Sequence, residues 1–299
     1  MQNVTLKQLR YFIAVAEDLH FGRAAERLVV SQPPLSQQIR KLERALGHDL
    51  FSRKPSVRLT PAGEAFLPAA RQVLTGVDRA VDLTRRAAVG EIGHVAVGFA
   101  ASAAVSALPE IVRACRQELP DVAITMRELS TAEQTRALIS GSIDVGFLRE
   151  PNPNEALHAE ASMEEPLIAV LAEEHPLASR RTFPLSELQS EPFLLFPRAV
   201  APGLHDHVLA TCAAAGFAPR VLQETRAWLT IVALVECGLG VSLVPASFRR
   251  LKWGRVAYRD LDPTPSPTRL VLCRGLAEPS AATTRFVAIA RSILEAGPA

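Results

Sequence analysis

The sequence predicts an α/β protein that begins with a small helical domain, and three observations predict it. Two short segments, at residues 21–28 and 31–46, place their apolar residues on one face of a helix. A long helical pattern then runs from Thr60-Pro61 to about Ala88. Beyond Gly90 strands and helices alternate, which is typical of an α/β domain with a largely parallel sheet.

The second short helix has an apolar side and a polar side. Its apolar side is formed by Leu35, Ile39, Leu42 and Leu46. The opposite side carries amide, hydroxyl and guanidinium groups that can bond bases or phosphates, namely those of Gln32, Ser36, Gln37, Arg40 and Arg44. Ser31 is a natural N-cap, Pro33 and Pro34 suit the first turn, and Gly47 can end the helix. This division of faces predicts a helix-turn-helix.

The charge distribution agrees with a DNA-binding head. Residues 1–60 hold ten Lys and Arg against five Asp and Glu, whereas the whole chain has a net charge of only +2. A basic head on a mildly acidic body favours polyanion binding by the head alone. The alternative is a structural three-helix cap with a solvated polar face.

The long helix carries a heptad pattern. The residues that repeat every three or four positions are Leu67, Ala70, Leu74, Val77, Val81, Thr84 and Ala88. Such a seam is compatible with pairing of two chains or with packing on the helix's own domain.

The rest of the chain predicts two similar α/β units. We expect strands at 94–99, 122–128, 144–147, 167–171, 193–196 and 241–244, and helices at 102–119, 131–140, 204–215, 227–236 and 281–294. Strand ends meet helix starts at Ser102 and at Ser130-Thr131, where Gln134 completes a capping-box pattern. Ligands bind at such corners in α/β sheets, and Arg149 could add a positive charge. Alternatively, Ser102 and Thr131 simply cap helices.

Other chemistries find little support in the sequence. Cys115, Cys212, Cys237 and Cys273 are far apart, which indicates reduced thiols, with a redox role for one of them left open. His205 and His207 lack a third ligand at metal spacing, so we expect no metal and no cofactor. No nucleophile motif, signal peptide or membrane span is recognised, so we expect a cytoplasmic protein that is not an enzyme.

The N-terminal segments resemble the winged helix-turn-helix of LysR-type transcriptional regulators. The resemblance rests on Leu6–Ala16, Phe21–Leu28, the Ser31-Gln-Pro-Pro-Leu-Ser run, and Leu50–Arg53 through Val57–Gly63 as the wing. Gln37 departs from relatives with this run, which usually carry Arg there. The predicted DNA-contacting residues are Arg23, Ser31, Gln32, Pro33, Pro34, Ser36, Gln37, Arg40, Arg53 and Lys54.

The resemblance implies a domain plan. A winged helix-turn-helix spans 1–60, a dimerising linker helix spans 61–89, and a two-lobed, periplasmic-binding-protein-like (type II) effector domain spans 90–299. Lobe I comprises about 91–163 plus 268–299, and lobe II about 164–267. The implied partners are double-stranded promoter DNA, RNA polymerase, a small carboxylate and further copies of the chain, as a homodimer and then a homotetramer.

The corner residues look most like those of the muconate- and chloromuconate-responsive branch, which regulates aromatic-compound degradation. That likeness implies an activator whose effector contacts Ala101, Ser102, Thr131, Arg149, Val200, Pro202 and Leu204. The loop Ala199–Leu204 is more aliphatic than in relatives with an aromatic residue there. The alternatives are a regulator of an unrelated pathway, a solute-binding protein for uptake, and an α/β enzyme.

Overall fold

The computed structural model describes residues 4–152 and 156–297, which form two compact units within residues 1–85 and 86–299. The expected domains 1–60 and 90–299 therefore include residues 1–3, 153–155 and 298–299, which lie outside the described residues. Each unit has its own hydrophobic core.

The first unit is a helix-turn-helix followed by a two-stranded wing. Its elements are α1 (Leu6–Asp18), α2 (Phe21–Arg27), α3 (Gln32–Leu46), β1 (Phe51–Ser52), β2 (Arg58–Leu59) and the start of α4 (Pro61–Ala88). Strands β1 and β2 pair antiparallel. Leu35, Ile39 and Leu42 of α3 are completely buried beside Phe12 of α1. Burial of each such side chain contributes about 1.5–3 kcal/mol, so the apolar face of α3 fixes which side remains outside.

Helix α4 spans the range that the sequence predicted. Thr60 begins it by accepting a hydrogen bond from the Gly63 amide at 3.1 Å. Of the expected seam, Ala70 is buried, and Leu67 and Leu74 pack against the core of the first unit. The first half of the seam therefore packs against its own domain, which was the alternative to pairing of two chains. Val73 and Val81 remain 49% and 65% exposed.

Lobe I contains a five-stranded sheet in the order β4-β3-β5-β13-β6. Its strands are β3 (Gly93–Phe99), β4 (Val122–Glu128), β5 (Val145–Arg149), β6 (His158–Glu165) and β13 (Thr268–Arg274). Its helices are α5 (Ala101–Ala104), α6 (Leu108–Glu118), α7 (Thr131–Ile139) and α10 (Ala281–Ala296). Strands β3, β4 and β5 are parallel, whereas β13 runs antiparallel to both β5 and β6.

Lobe II contains a four-stranded sheet in the order β11-β7-β12-β8 and a parallel pair of β9 and β10. Its strands are β7 (Leu167–Ala172), β8 (Thr182–Phe183), β9 (Pro192–Leu195), β10 (Arg220–Glu224), β11 (Ser242–Pro245) and β12 (Val256–Leu261). Its helices are α8 (Pro202–Ala214) and α9 (Trp228–Glu236). The chain passes between the lobes after β6 and returns before β13.

Three sequence-based expectations about these elements are wrong. The helix expected at 102–119 is divided into α5 and α6, because Pro109 cannot donate the backbone hydrogen bond that a continuous helix requires there. The sheets are mixed and not largely parallel, since β13 and the β7 pairs run antiparallel. Strands β6, β8, β10, β12 and β13 were also missed.

Within the described ranges, 4–152 and 156–297, no helix is both long enough and apolar enough to span a membrane.

Candidate functional site

The outer face of α3 presents most of the predicted DNA-contacting residues to solvent. Its exposed residues include Gln32, Pro33, Pro34, Gln37 and Arg40, while Ser36 is half-buried. Ser31 precedes the helix, but its side chain makes no capping hydrogen bond. Pro33 and Pro34 carry no N–H, so base or phosphate contacts at this end of α3 depend on exposed side chains such as those of Ser31 and Gln32.

The remaining predicted contacts lie on α2 and the wing. Arg23 is exposed on α2, and its guanidinium donates to the carbonyl of Asp18. Arg53 and Lys54 are both exposed in the β1–β2 turn. Arg53 also forms an ion pair of 2.8 Å with Glu43 of α3. The first unit thus places basic groups on α2, on α3 and in the wing.

The second unit contains a cavity of about 290 Å³ between residues of its two lobes. Lobe I contributes Ser102, Thr131 and Arg149, which are all buried. The Arg149 Nε donates to the Ser102 Oγ at 3.3 Å, and the Thr131 Oγ1 donates to the Arg149 carbonyl at 3.2 Å. These three predicted residues, which are distant in sequence, therefore form one polar cluster at the wall of the cavity.

Arg149 is a buried cation with unused hydrogen-bonding capacity. It is 2% exposed, and its Nη2 lies 3.5 Å from Glu165 Oε1. Burial lowers the pKa of Arg149, and the neighbouring Glu165 opposes that shift. The guanidinium stays charged, because arginine side chains are not deprotonated in proteins. Among the described residues, Arg149 Nη1 has no hydrogen-bond partner. An orphaned buried donor is costly, and an anionic ligand would relieve that cost.

Lobe II supplies an apolar wall opposite this cluster. Phe196 and Trp228 pack edge to face with ring centroids 4.4 Å apart. Val200 and Leu204, both predicted, also line the cavity, as does Ala101 from lobe I. Pro202 does not line it: as the first residue of α8 it occupies the helix start, where its missing amide costs nothing. Arg198, which directly precedes the Ala199–Leu204 loop, is paired with Asp206 and does not line the cavity.

The two polar corners differ from the capping pattern that the sequence predicted. Ser130 caps α7 with Glu133 as its partner, and not with Gln134. Gln134 is completely buried, and its Nε2 donates to the carbonyls of Leu129 at 3.0 Å and Phe147 at 3.1 Å. The Phe147 carbonyl also accepts from the Ala100 amide, so Gln134 ties the two corners together. Helix α5 has a single turn, so its dipole adds little, and hydroxyls and Arg149 dominate the corner at Ser102.

Sequence reasoning missed Phe196, Arg226 and Trp228 as cavity residues. Arg226 follows β10, a fully exposed strand without the alternation of apolar and polar residues that marks a strand in sequence. Trp228 begins α9, whose helical pattern was recognised but whose orientation was not.

The two histidines of α8 have backbone partners, and the buried cysteines are unreactive. His205 Nδ1 lies 2.7 Å from the Phe196 carbonyl, and His207 Nε2 lies 3.0 Å from the Ser266 carbonyl. Cys115, Cys212 and Cys273 are buried, and Cys237 is exposed. Burial raises the pKa of Cys115 to about 11 and that of Cys212 to about 12, which disfavours their reactive thiolate forms.

A helix-turn-helix unit joined to a two-lobed unit with a cavity between its lobes defines a ligand-responsive transcriptional regulator. Comparison with known proteins gives the family. Residues 6–64 match the bacterial regulatory helix-turn-helix protein, lysR family, and residues 88–295 match the LysR substrate binding domain. The chain belongs to the LysR family of transcriptional regulators, whose members bind promoter DNA and small-molecule effectors.

Individual relatives span nearly the whole chain. The transcriptional regulator AlsR of Bacillus subtilis (strain 168) is 41% identical over 86% of this chain and 85% of its own length. CatR of Pseudomonas putida is 39% identical over 90% and 92%. The crystal structure of CbnR, a LysR family transcriptional regulator, superimposes with a TM-score of 0.84 at 30% identity, over 96% of this chain and 100% of CbnR.

Proposed function

We propose that this regulator binds promoter DNA through α3 and the wing, and that a small carboxylate effector controls it. The single observation that carries the effector proposal is the buried cluster of Ser102, Thr131 and Arg149. In this cluster the Nη1 of Arg149 has no hydrogen-bond partner among the described residues. The Arg149 guanidinium, together with the Ser102 hydroxyl that accepts from it and keeps its own proton, is suited to a carboxylate, because charge-assisted hydrogen bonds are strong.

The cavity also constrains the rest of the effector. About 290 Å³ suits a small molecule, and Phe196, Trp228 and Leu204 offer an apolar surface to its middle. Arg226 adds a second cation on lobe II. A dicarboxylate with an unsaturated or halogenated carbon frame, such as cis,cis-muconate or a chloromuconate, combines these features. An activator of aromatic-compound degradation is therefore our leading assignment.

A regulator of an unrelated pathway is the second candidate, and one observation favours it. AlsR matches the chain at 41% identity and CatR at 39%, so relatedness alone does not select the aromatic branch. Glu128 and Glu133 also line the cavity, and they would favour an effector with one negative charge over an effector with two. A solute-binding role explains the two lobes but leaves the helix-turn-helix unit without a purpose.

Assembly is part of the proposal. Val73, Val77, Val81, Thr84 and Ala88 repeat every three or four residues on α4, which gives a stripe for pairing with a second copy. A homodimer places two recognition helices on two half-sites, and two dimers form the proposed homotetramer. We propose that the effector favours one arrangement of the lobes, which changes the DNA contacts and the access of RNA polymerase.

We further propose that the protein acts in the cytoplasm and does not convert its effector. The described cavity residues offer hydroxyls, carboxylates and guanidinium groups, which bind anions and cations without supplying an activated nucleophile. Quantitative recovery of unchanged cis,cis-muconate after prolonged incubation with the protein is the expected result. Loss of cis,cis-muconate that depends on the presence of the protein would contradict this part of the proposal.

The experiment is a thermal-shift titration with aromatic-pathway acids, including cis,cis-muconate and chloromuconates. A dose-dependent rise in the melting temperature with one acid, lost in Ser102→Ala, supports the proposal. Ser106→Ala is the matched control, because Ser106 is also buried but does not line this cavity. No shift with any acid, or equal shifts in parent and Ser102→Ala, would remove the muconate-type assignment.

A further inference from the structure

Glu43 is an acidic residue in an unexpected place, on the recognition helix of a DNA-binding unit. It is 6% exposed, although it lies one turn from Arg40 and is followed by Arg44. Its Oε1 accepts hydrogen bonds from the amides of Leu50 at 3.0 Å and Phe51 at 3.2 Å. The carboxylate therefore fixes the chain segment that enters the wing to the side of α3.

The other oxygen of Glu43 binds the wing itself. Its Oε2 accepts from Arg53 Nη2 at 2.8 Å. The Arg53 guanidinium also lies over the ring of Phe21, with its carbon 5.7 Å from the ring centroid. Because a guanidinium has five N–H donors in one plane, these two contacts fix its orientation and leave other donors free. The Arg53 side chain remains 36% exposed.

We infer that Glu43 is a positioning residue that orients Arg53 toward a DNA phosphate, so that the recognition helix and the wing bind the duplex as one rigid surface. This inference rests on the proposed DNA-binding role of α3 and the wing. The open hollow beside the pair supports it, because three arginines, Arg40, Arg44 and Arg53, line that hollow against two acids, Glu43 and Asp49. A phosphate there would meet a guanidinium that is already oriented, which lowers the ordering cost of binding.

The sign of one charge change separates positioning from simple electrostatics. Neutralising an acidic group near a polyanion should strengthen DNA binding if Glu43 acts only through its charge. If Glu43 orients Arg53, the same change should weaken binding, because Arg53 then has to be ordered at its own cost. Glu43→Gln retains an oxygen that can accept from the Leu50 and Phe51 amides while removing the ion pair.

The test uses the full-length protein and a short labelled duplex recovered by that protein from a randomised DNA library. Binding is measured by fluorescence anisotropy over a range of salt concentrations. For Glu43→Gln we expect several-fold weaker binding and a salt slope reduced by about one phosphate contact, as for Arg53→Ala. The double variant should bind no more weakly than Arg53→Ala, since both changes remove one interaction. Glu26→Gln, an exposed acid on α2, is the control that should bind equally or more tightly.

A second variant keeps the inference testable if Glu43→Gln does not fold. Arg53→Lys keeps Glu43 and the positive charge but loses the planar fork, so several-fold weaker binding with nearly the parental slope is expected. Unchanged or tighter binding by Glu43→Gln, or parental affinity for Arg53→Lys, would overturn the inference. Failure of the parent protein to recover any duplex would instead contradict the proposed function.

Discussion

Glu150 of lobe I and Gly203 of lobe II meet without room for a side chain between them. A Cβ atom on Gly203 would lie 1.9 Å from the Glu150 carbonyl oxygen. Glu150 itself has a φ of 47°, in the left-handed region, and its carboxylate accepts from the Arg269 amide. Since Gly203 is the second residue of α8 and Leu204 lines the cavity, this contact sets how closely the apolar wall approaches the polar cluster.

We therefore expect Gly203→Ala to widen the cavity. The added methyl group overlaps backbone, so α8 must shift at a cost of about 1–3 kcal/mol of stability. Effector binding should weaken, because Leu204 and Val200 move with the start of the helix. Calorimetric titration with the effector and urea unfolding measure the two effects. Gly76→Ala, where no atom lies within 4 Å of the new Cβ and the backbone is that of helix α4, is the control for replacing a glycine by alanine.

Arg226 should decide between effectors with one and two negative charges. We expect Arg226→Gln to reduce the affinity for cis,cis-muconate about tenfold, because loss of one exposed cation removes about 1 kcal/mol or slightly more of binding free energy. The affinity for the monoamide of the same acid should be nearly unchanged. Competition binding with the matched pair measures this ratio. An equal loss for both ligands would show that Arg226 does not contact the second carboxylate.

The exposed stripe of α4 should pair two chains. Val81→Glu places a charge in that stripe, so we expect a weaker dimer and a lower mass by light scattering at micromolar concentration. Thr75→Glu puts the same charge on the opposite side of the helix and should leave the mass unchanged. If both variants keep the parental mass, α4 does not hold the dimer.

Gln37 should read a base. It is exposed on α3, two residues beyond Leu35, which is buried in the core. A Gln can bond adenine and an Arg prefers guanine, so Gln37→Arg should change the selected half-site more than the affinity. Selection of duplexes from a randomised library by both proteins gives the two motifs. Identical motifs would count against Gln37 as a reader.

One acidic group should make stability depend on pH. Burial alone would raise the pKa of Glu160, but Arg274 and Arg291 outweigh it and hold that pKa below its ordinary value. A lowered folded pKa gives stability that is present above the unfolded value and is lost as the pH falls through the folded value. We expect Glu160→Gln to be less stable than the parent near neutral pH and nearly equal to it in acid, measured by urea unfolding. A difference in the free energy of unfolding between the two proteins that is the same at neutral and at acidic pH would contradict the ion-pair account.

Much of the fold was predictable because local patterns agree with tertiary burial. The apolar side of α3, the cap at Thr60 and the range of α4 all follow from spacing and capping chemistry. The missed strands β10 and β12 lack that agreement, since β10 is exposed throughout and β12 is only partly buried. Their existence depends on pairing with β9 and β7, which no local pattern records.

The polar half of the candidate site, in lobe I, was predictable, whereas of the lobe II wall only Val200 and Leu204 were predicted. Ser102 and Thr131 follow strand ends and Arg149 is the last residue of β5, and ligand sites form at such strand ends in α/β sheets. Arg226 and Trp228 reach the cavity through the packing of α9 and β10, and Gln134 joins two corners through carbonyls that are close only in the folded chain. Such contacts over long sequence separations are set by tertiary structure.

The most direct test is a DNA footprint of the full-length protein at increasing concentrations of cis,cis-muconate, with Ser102→Ala in parallel. The account predicts that the parental footprint changes in extent or spacing as the acid is added. The Ser102→Ala footprint should be the same with the acid as without it. A parental footprint that is identical at every concentration, with binding of the acid demonstrated by calorimetry, would contradict an effector-controlled regulator.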